Sequence, residues 1–236
     1  MAISLNQLVR AAHPKPPIMT VYGVHGIGKT TFAAQAPSPV FVQTEDGLGT
    51  LACPHFPLAA TFVFNVAATA AIYTEPHDFK TCVIDSVDWL EALIWAKACR
   101  DNGWASIEDA GYGKGYVAAL NLWRQYIDGL NALRDDKGMT VIQIAHTDIK
   151  RFDSPEHDPY DRYTIKLHAR AAALVQEHSD IVLFANYRIS TVKADVGFNK
   201  KVTRGVSTGE RVMYTSERPA YLAKNRYNLP HELPLS

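Results

Sequence analysis

The sequence has little from which to build a disulfide framework: three cysteines, Cys53, Cys82 and Cys99, stand in 236 residues, and none forms a CxxC pair. An odd count without paired spacing argues against a stapled secreted fold and fits a reducing compartment, so a cytoplasmic protein is expected. Long apolar runs are missing too. No stretch reaches ~18 uninterrupted apolar residues and the N-terminus carries no signal-peptide pattern, so the expectation is a soluble chain with no membrane partner. No repeat or low-complexity tract occurs. The nine histidines and Cys53-Pro54-His55 show no metal-ligand spacing, so zinc is not expected. Net charge is also absent, which disfavours a strong, non-specific nucleic-acid binder. That zero conceals a division: from Arg188 to Arg226 there are 9 basic and 3 acidic residues, against 15 and 21 in the remainder. Such a basic segment can meet nucleic acid or the phosphates of a nucleotide, or be an ordinary solvated surface.

Hydrophobic residues make up 47% and charged residues 20% of the chain, a globular composition. The length suffices for one α/β domain with a sizeable core and falls short of two. Residues 1–16, proline-rich at their end, read as an N-terminal arm before a core at 17–236. Short apolar, β-branched runs follow at Ile18–Tyr22, Val40–Gln43, Phe62–Val66, Cys82–Ile84, Val141–Ala145 and Ile181–Tyr187. Helical patterns lie between them at Thr30–Gln35, Val87–Arg100 and Tyr116–Arg134. Fully apolar strands alternating with helices predict a mainly parallel sheet flanked by helices. Val192–Thr208 is polar and glycine-containing, and Arg211–Thr215 with Ala220–Ala223 suggests an antiparallel C-terminal extension. The aromatic pairs Trp89/Leu93 and Leu122/Tyr126 have i,i+4 spacing and read as core. Two long loops, Asn102–Gly115 and Thr147–Thr164, are candidates for function or mobility.

Gly23-Val24-His25-Gly26-Ile27-Gly28-Lys29-Thr30 matches G-x-x-x-x-G-K-[ST] between a strand and a helix, the context in which that motif binds nucleotide phosphates. Gly23, Gly26 and Gly28 let successive backbone N–H groups turn inward around a phosphate, and the helix N-terminus adds partial positive charge. Lys29 is expected to reach the β- and γ-phosphates of ATP and the Thr30 hydroxyl to hold Mg2+, with Thr31 beside it. This is a P-loop NTPase motif.

Transfer of a phosphoryl group to water needs a magnesium partner and a group that orients the water. Thr81–Asp85 is an apolar strand ending in an acid, so Asp85 is the candidate second magnesium ligand; it can also cap the helix from Val87. Val40–Asp46 is another strand ending in acids. Glu45 is the candidate general base, and Asp46 can simply favour the turn before Gly47. His146 closes the strand Thr140–Ala145 at the same edge, either as a sensor of the γ-phosphate or as a structural residue. Gly111-Tyr112-Gly113-Lys114-Gly115-Tyr116 offers Lys114 for a phosphate contact and Tyr112 or Tyr116 for stacking on a base. It can equally be a flexible loop with Tyr116 packed in the core.

Four segments in order resemble the core ATPase of RecA-type recombinases: Gly28-Lys29-Thr30-Thr31, Val42-Gln43-Thr44-Glu45, Val83-Ile84-Asp85-Ser86-Val87 and Lys224-Asn225-Arg226. The resemblance covers about 17–230 and implies a RecA-like ATPase core at 17–236, with Glu45 as catalytic glutamate and Asp85 at the Walker B position. It further implies that Lys224 and Arg226 reach ATP bound by a neighbouring subunit in a ring or filament. The loop between Ile107 and Gly115 and the stretch Thr147–Thr164 fall where the family's two DNA-contacting loops lie, which makes Tyr112, Lys114, Lys150 and Arg151 candidates for single-stranded DNA. Gly111–Tyr116 and Ala223–Tyr227 look like the bacteriophage forms that act with single-strand-binding protein in strand annealing. His146 stands where RecA has glutamine, and Asp148–Arg170 is formally neutral, two departures from the family pattern. The expected function is therefore an ATP-dependent, single-stranded-DNA-binding recombinase of a phage. A P-loop motor or replication accessory factor and a small-molecule kinase are the alternatives.

Overall fold

The computed structural model describes residues 4, 5, 8, 15–156, 158–195 and 201–235, without side-chain detail at 190–195 and 201–208. Most of the expected arm at 1–16 lies outside the described residues. The first strand, β1 (Ile18–Gly23), leads through the glycine loop into a short helix, α1 (Lys29–Ala34), and back to β2 (Pro39–Gln43). Next come α2 (Phe62–Thr74), β3 (Thr81–Asp85), α3 (Val87–Asn102), α4 (Lys114–Lys137), β4 (Thr140–Phe152) and β5 (Tyr160–Ile165). The chain closes with α5 (Ala169–His178), β6 (Ile181–Asp195), β7 (Lys201–Tyr214), β8 (Lys224–Asn225) and β9 (Glu232–Pro234).

The sheet runs β2-β3-β4-β1-β6-β7-β9, with β5 added to β4 and β8 to β6. Pairings from β2 through β6 are parallel and those of β5, β7, β8 and β9 antiparallel. Every residue of β3 is buried, because helices cover both faces and leave no wet side to select alternation. One face packs Tyr22, Ile84 and Val141 against Leu90, Ile94, Trp123, Leu130 and Val175 of α3, α4 and α5. The other packs Val21, Phe41, Val83, Ile142 and Leu183 with Ile27 and Ala33 around α1. Among the described residues no helix is long and apolar enough to cross a membrane.

Several expectations change. Phe62–Val66 is not a strand but the first turn of α2: the Thr61 hydroxyl accepts from Phe64 N at 3.1 Å and caps it. The Thr147–Thr164 stretch is a hairpin, since β4 runs on through Phe152 and pairs with β5 from Thr147↔Ile165 to Phe152↔Tyr160. Within the polar stretch Val192–Thr208, residues 192–195 and 201–207 pair in the ladder of β6 and β7, whose cross-strand bonds do not need an apolar pattern, and 196–200 lie outside the described residues. Ala220–Ala223 makes only isolated bridges. Trp89 is 53% exposed rather than core.

The loop before α4 is tied to the core where Gly115 meets Ile107. A Cβ at Gly115 would lie 1.9 Å from the Ile107 carbonyl oxygen, so only glycine fits without backbone movement. Gly115→Ala should lower stability by about 1–3 kcal/mol, the usual cost of forcing atoms into a filled site. Urea unfolding measures this, and an unchanged midpoint would show that the loop does not pack as described.

Candidate active site

Register brings the functional groups together. Gly23 pairs with His146, Gln43 with Asp85, and Asp85 with Ile144, so the carboxyl ends of β1 to β4 form one edge. At that edge a cleft of about 510 Å³ is lined by Gly26, Gly28, Lys29, Thr30, Thr31, Glu45, Asp46, Asp85 and His146, with the Gly47–Leu51 loop as one wall. The cleft thus unites the expected phosphate, magnesium, general-base and sensor residues.

The glycine loop turns as its motif requires. Gly28 has φ 106°, where a side chain would be strained, and serves as the N-cap of α1. Lys29 is buried, with its ammonium donating to the carbonyls of Gly23 at 3.1 Å and Val24 at 3.0 Å. Burial holds the Lys29 pKa below the usual lysine range, against upward pulls from Asp85, Asp88 and Glu45. Thr30 Oγ1 donates to Asp85 Oδ2 at 2.9 Å. A hydroxyl and a carboxylate side by side are hard oxygen donors of the kind Mg2+ takes, so the donor set fits that ion.

Burial pushes the Asp85 carboxyl up to about 6, partly offset by the Thr30 hydrogen bond and reinforced by nearby Glu45. Thr44 Oγ1 donates to Ser86 O at 2.6 Å and accepts from Ser86 N at 2.8 Å, locking the end of β2 to the turn after β3. Glu45, next in sequence, is thereby carried beside Asp85. Its Oε1 lies 3.9 Å from His146 Nε2.

Three participants had not been anticipated. Asp88, in the first turn of α3, accepts from the His146 backbone N–H at 3.0 Å and pairs with His146 Nδ1 at 2.9 Å. His25 of the glycine loop stacks on the His146 ring at 4.4 Å. Arg211 of β7 donates to Ile27 O at 3.4 Å on the loop's outer side. The spacing Asp85-Ser86-Val87-Asp88 could have revealed Asp88, one turn into a helix whose start was already fixed. Nothing local marks His25 or Arg211.

The remaining candidates lie apart from the cleft. Tyr112 is fully exposed, with φ 50° between two positive-φ glycines, and Lys114 is exposed beside it. Tyr116 stacks on His168 at 4.0 Å and donates its hydroxyl to Glu108, so it anchors the loop. Lys150 donates to Leu167 O at 2.8 Å and Arg151 to Asp153 at 3.2 Å, so both are engaged within the chain. Arg162, not anticipated, is buried in the same hairpin against Glu217 and over the Phe152 ring. Lys224 donates to the last carbonyls of α5, those of Gln176 and Glu177, at 2.9 Å each. Arg226 meets Asp180 at 3.3 Å. The acid that Arg226 meets, Asp180, is distant in sequence. Pairing of β8 with Ile181 and Val182 puts these two cations at the sheet edge opposite the cleft.

A phosphate loop on a mainly parallel sheet, with an acid ending the strand two places away, defines a P-loop ATPase of RecA-like fold. The chain belongs to the AAA domain family, whose model AAA_24 matches residues 15–227. Its fold is similar to that in the crystal structure of the RadB recombinase, with TM-score 0.50 and 16% identity over 92% of this chain and 85% of that one. It is also 27% identical over 175 residues to the SPbeta prophage-derived uncharacterized protein YorG of Bacillus subtilis (strain 168). The match takes in 71% of this chain and 50% of that protein, so the chain spans about half the length of the curated relative it matches.

The buried Asp85 generates a pH prediction. A carboxyl whose folded pKa is raised binds its proton more tightly folded than unfolded, so stability falls as pH rises from 3.8 through about 6 and stays lower above. Without divalent cations, Asp85→Asn should therefore gain roughly 2–3 kcal/mol above pH 7, and the gain should vanish near pH 4. Denaturant unfolding at the two pH values checks this; an equal effect at both would refute the assignment.

Proposed function

We propose that this chain is an ATP-hydrolysing, single-stranded-DNA-binding RecA-like recombinase that promotes strand annealing, encoded by a phage and working in the cytoplasm of its bacterial host. The observation that supports the chemistry is the meeting of Lys29, Thr30, Asp85, Glu45 and His146 in one cleft. Backbone N–H groups from Gly23 to Thr31 cradle the phosphates, and Lys29 leaves its carbonyl partners to contact the β- and γ-oxygens. Thr30 and Asp85 hold Mg2+, which supplies charge neutralisation for the phosphates. Glu45 orients the attacking water and accepts its proton, while His146 faces the terminal phosphate.

The nucleic-acid half of the reading rests on Tyr112. A fully exposed aromatic residue kept in a left-handed conformation is strained without any packing return. Stacking on a base would supply that return, with Lys114 on the adjoining phosphate. Lys150 and Arg151 contribute from the hairpin. That the structural neighbour is a recombinase and the relative prophage-derived supports recombination and a phage origin. The proposed partner in annealing is single-strand-binding protein. The internal engagement of Lys150 and Arg151 favours the second reading, a motor or accessory ATPase without annealing activity.

Hydrolysis and annealing assays test this. Glu45→Gln should keep ATP binding and lose roughly 2–4 kcal/mol of transition-state stabilisation. Tyr112→Ala with Lys114→Ala should weaken single-stranded-DNA binding by about 1–3 kcal/mol per stacked base, leaving DNA-free hydrolysis near parental. Parental turnover in Glu45→Gln removes the general base, and a chain that hydrolyses ATP without annealing strands selects the second reading.

Assembly in a ring or filament follows if Lys224 and Arg226 reach a neighbour's ATP, exchanging carbonyls and Asp180 for phosphate. Replacing both with alanine should abolish DNA-stimulated hydrolysis, and mixing that variant with Lys29→Ala should restore part of it through complete composite sites. A mixture that stays inactive while the double variant assembles normally would rule out the shared site.

A further inference from the structure

Asp88 has no part in the chemistry just described, yet its side chain is only 3% exposed and directs both oxygens at His146. Oδ1 accepts from the His146 backbone N–H at 3.0 Å and Oδ2 meets His146 Nδ1 at 2.9 Å. Burial works against the Asp88 carboxylate, but these hydrogen bonds outweigh it and hold its pKa below the usual range. An ionised carboxylate can only accept, so Nδ1 must carry hydrogen. That places a hydrogen on Nδ1 and leaves Nε2 as the working nitrogen, 3.9 Å from Glu45 Oε1. The face of the ring is backed by His25, 4.4 Å away on the phosphate loop. Backbone, ring plane and Nδ1 hydrogen of His146 are thus set from three directions, and two of the three come from Asp88.

We propose that Asp88 is a positioning residue for nucleotide hydrolysis. It presents His146 Nε2 to Glu45 at the point where the terminal phosphate and the attacking water meet. The inference rests on the ATPase reading, and it assigns Asp88 no contact with nucleotide. Its consequence is specific. Loss of Asp88 should impair turnover chiefly through His146, because Lys29, Thr30 and the glycine loop still hold the substrate.

The test compares kcat and KM for ATP in the parental chain, Asp88→Asn, His146→Ala and the double variant. Asp88→Asn keeps the shape but offers an amide N–H to Nδ1, favouring hydrogen on Nε2 instead. Outer partners that orient a functional histidine are typically worth 10–100-fold, so kcat should fall by about that factor with KM near parental. His146→Ala should lose a similar factor, and the double variant should be no worse than the worse single one, since both act through one ring. Nitrogen-15 spectra of labelled histidine should show His146 as the Nδ1–H tautomer in the parental protein and lose that signature in Asp88→Asn. A parental kcat in Asp88→Asn, losses that multiply in the double variant, or an Nε2–H tautomer in the parental protein would each overturn the proposal. If the parental chain hydrolyses no ATP, the ATPase reading fails by itself and the proposal falls with it, whatever the tautomer. If Asp88→Asn does not fold, the parental tautomer together with the kcat of His146→Ala decides: Nδ1–H with impaired turnover supports the role, and either result reversed removes it.

Discussion

Parallel pairing of β4 with both β1 and β3 puts three strand ends on one line, because the ladder fixes Gly23 against His146 and Asp85 against Ile144. A slip of one residue would turn every side chain on the shifted strand to the other face. Thr30 would then lose Asp85, and His146 would lose Asp88. The apolar faces of these strands, buried against α3 and α4 on one side and α1 on the other, make such a slip costly. The register that buries Ile84 and Val141 is therefore the same one that assembles the polar edge. Core packing and site geometry are one constraint here.

That edge is electrostatically unbalanced. Lys29 lies in the field of Asp85, Asp88 and Glu45, and burial has already lowered its affinity for a proton. Asp85 in turn resists ionisation through burial and through Glu45. A divalent cation on Thr30 and Asp85 would offset the local negative charge and favour the entry of phosphates. The fold holds Asp85 and Glu45 close despite their mutual repulsion, which is preorganisation maintained by the surrounding core.

Elements whose pattern is carried by local sequence were readable in advance. The glycine loop, the strands at Ile18, Val40 and Thr81, and the helices at Val87 and Tyr116 all announce themselves through apolar runs, caps and spacing. The cleft residues Lys29, Thr30, Glu45, Asp85 and His146 were legible because each ends a recognisable strand or opens a helix. What stayed hidden depends on distant partners. Phe62–Val66 has strand composition, and one capping threonine decides for helix. Arg226 finds Asp180 46 residues away, a pairing that no local spacing shows. Asp88 drew no attention because an acid in a helix's first turn is ordinary, and only the fold sets His146 against it.

The continuity of β4 has a mechanical side. It is one strand from the core out to the tip of its hairpin, with His146 near the middle and Phe152 six residues beyond. At about 3.3 Å per residue the outer arm is roughly 20 Å long. A tilt of only about 5° at His146 would carry Phe152 through roughly 2 Å, by the same strand geometry. Because β5 is hydrogen-bonded along that arm from Thr147 to Phe152, the two strands form one stiff lever, along which a small adjustment around one imidazole would be magnified at the far end.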